Sequence, residues 1–152
     1  MLILDIATIV SVGMMTGVEF AVSAFVNPVV LTMEDGAQAF ATRAFARLLG
    51  RMMPFWYVGN MLLLAGEAVM RHGQSGSAFL YAACGVWAAV IALTLMFLVP
   101  INNRIAAMPD GAFARAMKAE HHVWDLRHRV RIAALMVATV LLLVAIGAVK
   151  CA

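Results

Sequence analysis

Residues Ala78–Ile101 read AFLYAACGVWAAVIALTLMFLVPI, and this stretch decides the fold class. It contains no Asp, Glu, Lys, Arg or His. Because a helix rises about 1.5 Å per residue, a helix of this length exceeds the hydrocarbon core of a bilayer, which is about 30 Å thick. The stretch is therefore predicted to be a transmembrane helix.

Three more stretches have the same character, namely Ile6–Leu31, Met52–Met70 and Ile132–Val149. The chain of 152 residues is 64% hydrophobic and only 12% charged, which is more apolar than is usual for a soluble domain. The alternating patterns of barrel strands are absent, and a bilayer admits only helices or closed barrels. The sequence thus predicts an all-α fold: a four-transmembrane-helix bundle that forms a single integral membrane domain over residues 1–152.

The basic residues are concentrated on two connections of this bundle. Of the eleven Lys and Arg residues, nine lie between the first two spans or between the last two, and only Arg71 and Lys150 lie on the opposite side. The positive-inside rule then places both long connections in the cytoplasm and both termini outside, in a multi-pass protein of the inner (plasma) membrane. Since the membrane accounts for these charges, no nucleic-acid partner is predicted.

Prolines mark the expected ends of the helices. Asn27-Pro28 predicts a kink or stop in the first helix, because the residue before a proline disfavours helical geometry. Pro54 predicts the start of the second helix, and Pro100 predicts the end of the third. The stretch Ala37–Arg51 is amphipathic and predicts a short separate helix at the membrane interface.

The fourth helix is predicted to be longer than the membrane is thick. After a turn at Pro109–Gly111, the pattern is helical from Ala112 to the C-terminus. A helix of this length reaches about 57 Å, so its first half is predicted to extend into the cytoplasm. On the opposite side of the membrane, the Gly- and Ser-rich residues 71–76 predict a tight hairpin between helices two and three.

One face of the fourth helix carries a row of polar and aromatic side chains. At 100° per residue, four of them fall within an arc of roughly 80°; they are His121, Trp124, His128 and Arg131. Asp125 lies at the edge of this row, where it either orients His128 or pairs with Arg129. The alternative is a helix whose Trp and Arg anchor it at the headgroups while its histidines are solvated.

The first helix carries a matching polar row of Thr16, Glu19, Ser23 and Asn27. A carboxylate several turns inside an apolar span faces the bundle interior, and it is protonated or paired with a cation. Arg131 or a histidine of the fourth helix is the candidate partner of Glu19. The alternative is a neutral Glu19 that only fixes helix packing.

Other polar groups have simpler explanations. Glu67 precedes Arg71 by four residues and is expected to pair with it within the helix, and Asn60 is expected to form an interhelical hydrogen bond. The run Phe55–Tyr57 is typical of an aromatic belt at the membrane interface. Cys84 and Cys151 have the spacing of neither a disulfide framework nor a metal site.

Three segments resemble one known family. They are Asn27-Pro28, Pro100-Ile101-Asn102-Asn103-Arg104, and Trp124-x-x-x-His128-x-x-Arg131. In this order and on four predicted spans, they resemble the anthrone-oxygenase-like family of small four-helix membrane proteins. Some members oxidise anthrones to anthraquinones with molecular oxygen, so the resemblance implies an oxygenase that acts on a planar aromatic molecule.

The resemblance also suggests roles for the polar residues. His128 would be the base and Arg131 would stabilise the phenolate and peroxide anions, without a cofactor. Trp124 would stack on an apolar aromatic substrate and Asn27 with Asn102 would hold its oxygens, while Glu19 and His121 complete the binding site.

Two other interpretations stay open. A metal or haem held by His121, His128 and Glu19 is less favoured, because the two histidines lie about 10.5 Å apart along the helix. A non-catalytic membrane subunit would instead dock a partner or a lipid through its basic cytoplasmic helix. Whether the chain forms a homo-oligomer is left open.

Overall fold

The computed structural model describes residues 1–107 and 115–150. These residues form helices, and no strand occurs among them. The helices are α1 (Leu2–Leu31), α2 (Asp35–Met70), α3 (Ser77–Ala106) and α4 (Arg115–Lys150). The turn predicted at Pro109–Gly111 and the residue Cys151 lie outside the described residues. The all-α prediction is confirmed for the part of the chain that the structure describes.

The four helices pack as an antiparallel bundle in which each contacts the next and α4 closes against α1. Between α1 and α2, the Ser11 hydroxyl donates to Asn60 Oδ1 at 2.6 Å, which confirms the interhelical bond predicted for Asn60. Between α3 and α4, Arg104 Nε lies 3.0 Å from Glu120 Oε1. We call the end of the bundle at Arg104 the basic end and the end at residues 71–76 the hairpin end.

Three stretches are long and apolar enough to cross a membrane, counted over the described residues. They are Leu2–Leu31, Ser77–Ala106 and Ala119–Ala148. The outer faces of these helices are apolar, with exposed side chains such as Ile3 and Leu95. Such a surface is too apolar for water over so large an area, so the chain is a membrane protein. The extension of α4 into the cytoplasm stays a prediction.

The prolines of α1 and α3 do not end these helices, so the stop predicted at Asn27-Pro28 and the helix end predicted at Pro100 are both wrong. Each proline is preceded by a π-helical turn, Val22–Val26 in α1 and Thr94–Leu98 in α3. In both, the residue before the proline donates its N–H to the carbonyl five residues back. This wider hydrogen-bond register accommodates the proline, which lacks an N–H and has a bulky ring. The helix therefore continues.

Helix α2 also differs from the prediction, because the expected interfacial helix and the second span form one continuous helix. Pro54 lies inside it and does not begin it. A proline inside a helix costs about 3 kcal/mol or more. Side chains on both sides of the proline, such as Thr42 before it and Tyr57 after it, are buried, so both halves of the helix pack into the bundle.

The predicted hairpin between α2 and α3 is confirmed. Gly73 and Gly76 have φ of 75° and 86°, in the left-handed region that other residues rarely adopt. A Cβ at Gly76 would also lie 2.7 Å from the Ala145 carbonyl oxygen. Glycine at this position therefore lets the hairpin pack closely against the last turns of α4.

Candidate functional site

An ion pair between α1 and α4 forms the centre of the site. Arg131 Nη2 donates to Glu19 Oε2 at 2.6 Å, and the two residues are only 6% and 3% exposed. The second carboxylate oxygen of Glu19 accepts a hydrogen bond from the Tyr57 hydroxyl at 2.9 Å. Arg131 Nη1 also reaches the Thr94 hydroxyl of α3 at 3.4 Å. All four helices therefore supply a group to one buried polar cluster.

His128 joins this cluster through both of its ring nitrogens. Arg131 Nη2 lies 2.8 Å from His128 Nδ1, and the backbone carbonyl oxygen of Glu19 lies 3.2 Å from His128 Nε2. Because arginine can only donate, Nδ1 carries the lone pair, and Nε2 carries the proton that it donates to the carbonyl. This network assigns His128 as the neutral Nε2–H tautomer.

Trp124 stacks between the two predicted site histidines. Its ring centroid is 4.6 Å from that of His128 and 5.8 Å from that of His121, with interplanar angles of 18° and 24°. The stack separates His121 from the cluster of Glu19 and His128. Among the described residues, no group of three His, Cys, Asp or Glu side chains is placed to hold a metal ion. The residues named for a metal are thus not brought together.

The larger of two adjoining cavities ends on the ion pair. Its volume is about 160 Å³. At its polar end lie Glu19, Tyr57, Thr94, His128 and Arg131, and the remaining walls are mainly apolar side chains of α2 and α3. Lining residues of these two helices, such as Val58 and Leu95, are also exposed on the outer surface, so the cavity opens between α2 and α3.

The smaller cavity lies toward the basic end and measures about 50 Å³. It is lined by Asn27, Thr42, Asn102, His121 and Trp124 together with apolar side chains. Trp124 and Asn102 also line the larger cavity, so the two spaces share a wall. All seven residues proposed from the sequence thus lie on one cavity or on both.

Asp125 does not orient His128. Its Oδ1 accepts a hydrogen bond from the Asn27 amide at 3.0 Å, and its Oδ2 accepts one from Arg129 Nε at 2.9 Å. Of the two interpretations of Asp125, the pair with Arg129 is therefore the one observed. The Asn27 amide nitrogen is held by this carboxylate at the edge of the smaller cavity.

Three buried nitrogen atoms on these cavities have no hydrogen-bond partner among the described residues. They are His121 Nε2, Trp124 Nε1 and Arg131 Nε. A buried donor without a partner costs about 1–3 kcal/mol, and folded proteins rarely leave one in place. All three belong to side chains that line the two cavities, so these cavities are bordered by unused hydrogen-bonding groups.

Tyr57 and Thr94 belong to the cluster but are not among the site residues predicted from the sequence. The sequence predicts an aromatic belt for the run Phe55–Tyr57, yet only Phe55 points outward, and the Trp56 indole donates to the Ser11 hydroxyl at 3.0 Å. The sequence does contain a signal for Tyr57, because its spacing places it on the same helix face as Asn60, Leu64 and Glu67. The structure shows that all four residues are buried.

A second buried ion cluster lies at the hairpin end. Arg71 Nη2 donates to Asp5 Oδ1 at 2.6 Å, and Arg71 Nε donates to Glu67 Oε2 at 3.0 Å. The Thr8 hydroxyl completes it at 3.4 Å from Glu67 Oε1. Burial opposes the charged guanidinium, but these hydrogen bonds outweigh it and raise the pKa of Arg71. The predicted pair of Glu67 with Arg71 is confirmed, and Asp5 extends it to α1.

The sequence model of the anthrone oxygenase family matches residues 40–141, about two thirds of the chain. The chain belongs to the anthrone oxygenase family. No curated protein and no solved structure matches it. The part that matches the anthrone oxygenase model contains Asn102, Trp124, His128 and Arg131. Glu19 lies before that part. It is included in the site because of its contacts in this structure and not because of the family match.

Proposed function

We propose that the chain is a membrane-embedded oxygenase that oxidises a planar aromatic molecule, anthrone- or phenol-like, with molecular oxygen. The observation that carries the proposal is the apolar cavity that ends on Arg131, His128 and Glu19. An apolar wall accommodates the rings, while the buried cation at its end favours an oxyanion.

The proposal includes four membrane crossings, with α2 as the fourth. Asn60 and Glu67, the most polar residues in the second half of α2, are fully buried inside the bundle. Its outward side chains are apolar, among them Phe55, Leu62 and Val69. A helix with polar groups inside and apolar groups outside suits a lipid environment.

Substrate size agrees with the larger cavity. A cavity of about 150 Å³ holds a benzene ring, so one ring fits the larger space of about 160 Å³. A fused-ring substrate extends from this space toward the opening between α2 and α3. An apolar substrate dissolved in the bilayer reaches that opening without passing through water.

Proton abstraction is the first chemical step of the proposal. In the structure, His128 Nδ1 accepts from Arg131 and is not free to act as a base. When the carbonyl oxygen of the substrate draws the guanidinium of Arg131 toward itself, Nδ1 is released. His128 Nδ1 then takes a proton from the ring methylene, and the electron pair moves onto the oxygen as a phenolate paired with Arg131. Glu19 Oε2, 3.4 Å from His128 Nδ1, stabilises the imidazolium.

Oxygen reacts in the second step. The electron-rich ring carbon reduces O₂ and forms a carbon–oxygen bond, and the resulting peroxide anion takes a proton from His128. Loss of water from this hydroperoxide leaves a carbonyl group. The net change turns a methylene and O₂ into a carbonyl and water, so the substrate supplies all the electrons and no other reductant is required.

The alternative is a non-catalytic subunit that docks a partner or a lipid through its basic residues. No specific contact among the described residues favours it. Among the described residues, three of the basic groups that it would present are engaged within the chain. Arg129 pairs with Asp125, Arg104 pairs with Glu120, and Arg127 lies 5.1 Å over the Phe97 ring.

The test is oxidation of anthrone under ¹⁸O₂ by the purified protein in lipid nanodiscs. Because anthrones also autoxidise, the double variant His128→Gln/Arg131→Lys measures the background. We expect one O₂ consumed per anthraquinone formed, with one labelled oxygen in the product, well above that background. Equal rates for the folded wild type and the folded double variant, with anthrone and with simpler phenols, would contradict the proposed function.

A further inference from the structure

The smaller cavity contains two unpartnered nitrogen atoms that the proposed reaction does not use. His121 Nε2 and Trp124 Nε1 are buried and have no hydrogen-bond partner among the described residues. The two side chains are only 7% and 9% exposed, and both line the cavity of about 50 Å³. Two unpartnered nitrogen atoms of different side chains therefore belong to residues that line the same cavity.

Two other polar groups of this cavity, on Thr42 and Asn27, have partners. The Thr42 hydroxyl donates to the Gln38 carbonyl at 2.8 Å, and the Asn27 amide nitrogen donates to Asp125. The indole N–H can only donate, while His121 Nε2 can donate or accept, depending on its tautomer. An oxygen atom that accepts from Trp124 and bonds to His121 satisfies both nitrogens.

The volume limits what this oxygen can belong to. A water molecule occupies about 30 Å³ in the liquid, so the cavity admits one or two non-hydrogen atoms but not a ring. Because Trp124 lines both cavities, a ring in the larger one can place a substituent at the edge of the indole. Such a substituent points toward the smaller cavity while its ring stays beside Arg131.

We infer that the smaller cavity is a subsite for a second oxygen of the aromatic ligand, a carbonyl or hydroxyl group held by Trp124 Nε1 and His121 Nε2. The larger cavity binds the first oxygen at Arg131. The ligand class is therefore an aromatic molecule with two oxygen functions on different ring positions. The inference rests on the proposed function for its aromatic ligand, but it concerns binding and not oxygenation.

The test compares ligands with one and with two oxygens by calorimetry, in nanodiscs and without O₂. The probes are 1-naphthol and the isomeric dihydroxynaphthalenes, which differ only in the second hydroxyl. We expect one isomer to bind about tenfold tighter than 1-naphthol, the gain typical of one or two satisfied hydrogen bonds. In Trp124→Phe and in His121→Leu this ratio is expected to fall toward one.

Matched controls separate the subsite from general effects on the fold. Trp56→Phe and His122→Gln change the same residue types outside the two cavities and should keep the wild-type ratio, while His121→Gln, which retains a polar group, should restore part of it. The same ratio in wild type and in both folded variants, or no binding of any probe, would overturn the inference. If the ratio behaves as expected but anthrone is not oxidised, the subsite stands and only the proposed reaction fails.

Discussion

The bundle contains two buried clusters with nearly the same chemistry and different surroundings. At the hairpin end, Arg71 binds two carboxylates, Asp5 and Glu67, and none of the unpartnered buried atoms found among the described residues belongs to this cluster. Nearer the basic end, Arg131 binds a single carboxylate, Glu19, and its Nε has no partner. A cavity of about 160 Å³ lies against the second cluster.

The difference shows which feature marks a site in a membrane bundle. A buried ion pair alone is compatible with a purely structural role, because both helix packing and catalysis use such pairs. The cluster at Arg131 differs because it has unused donor capacity beside an open space. We therefore propose a structural role for Arg71 and a functional role for Arg131, and the predictions below test that division.

The largest effect on turnover is expected from replacing Arg131 by lysine, with Arg71→Lys as the comparison. Arg131→Lys keeps the charge but loses the planar set of donors that binds Glu19, His128 and an oxyanion together. We expect anthrone turnover to fall about 10²–10³-fold, the loss typical for one oxyanion-stabilising donor. Arg71→Lys should leave the turnover of folded protein close to wild type. A similar loss in both variants would remove the distinction between the clusters.

Removing one carboxylate should affect stability more at Glu19 than at Glu67. Glu19→Gln leaves Arg131 without an acidic partner among the described residues, and an uncompensated buried charge costs about 3–5 kcal/mol. Glu67→Gln leaves Asp5 in place as a partner of Arg71 and should cost clearly less. Denaturation of both variants in mixed detergent micelles measures the difference. If Glu67→Gln proves the more damaging change, the hairpin cluster holds the bundle together more than Glu19 does.

Tyr57→Phe should give an intermediate effect on turnover. It removes only the hydroxyl that donates to Glu19 Oε1 and keeps the ring, above which Arg131 lies at 5.6 Å. One hydrogen bond to a charged group contributes about 1.5–3 kcal/mol, so we expect turnover to fall about tenfold. The check is the initial rate of oxygen uptake with anthrone, and a rate equal to wild type would exclude Tyr57 from the working site.

The smallest effect is expected from Thr8→Val. The Thr8 hydroxyl makes only a long hydrogen bond of 3.4 Å to Glu67 in the structural cluster. The variant should lose less than about 1 kcal/mol of stability, and its turnover should equal that of wild type. Reduced turnover at unchanged stability would show that the two clusters are coupled.

The polar rows of α1 and α4 could be predicted because helical periodicity alone determines which side chains share a face. Thr16, Glu19, Ser23 and Asn27 are all buried, as their spacing predicted. Tyr57 is not predicted as a site residue, because the aromatic-belt interpretation treats Phe55–Tyr57 as one unit and ignores helical periodicity. In a helix, each of these residues faces a different side.

The rest of the site depends on packing between helices, which the amino-acid sequence alone does not predict. The π-helical turns at Val22–Val26 and Thr94–Leu98 let α1 and α3 continue past their prolines. Asn27 and Asn102 follow these turns within the continuing helices and line the smaller cavity. Unpartnered atoms such as Trp124 Nε1 appear only when the surrounding side chains are in place.

Proton abstraction by His128 is the central claim, and deuterium exchange without oxygen tests it most directly. Anthrone is incubated in D₂O without O₂, and incorporation of deuterium at the methylene is followed by mass spectrometry. His128→Gln can accept from Arg131 and donate to the Glu19 carbonyl, but it cannot take the proton, and His122→Gln is the matched control. We predict exchange catalysed by wild type and by His122→Gln, and a rate about 10²-fold lower in His128→Gln. Exchange at the wild-type rate in folded His128→Gln would contradict the account.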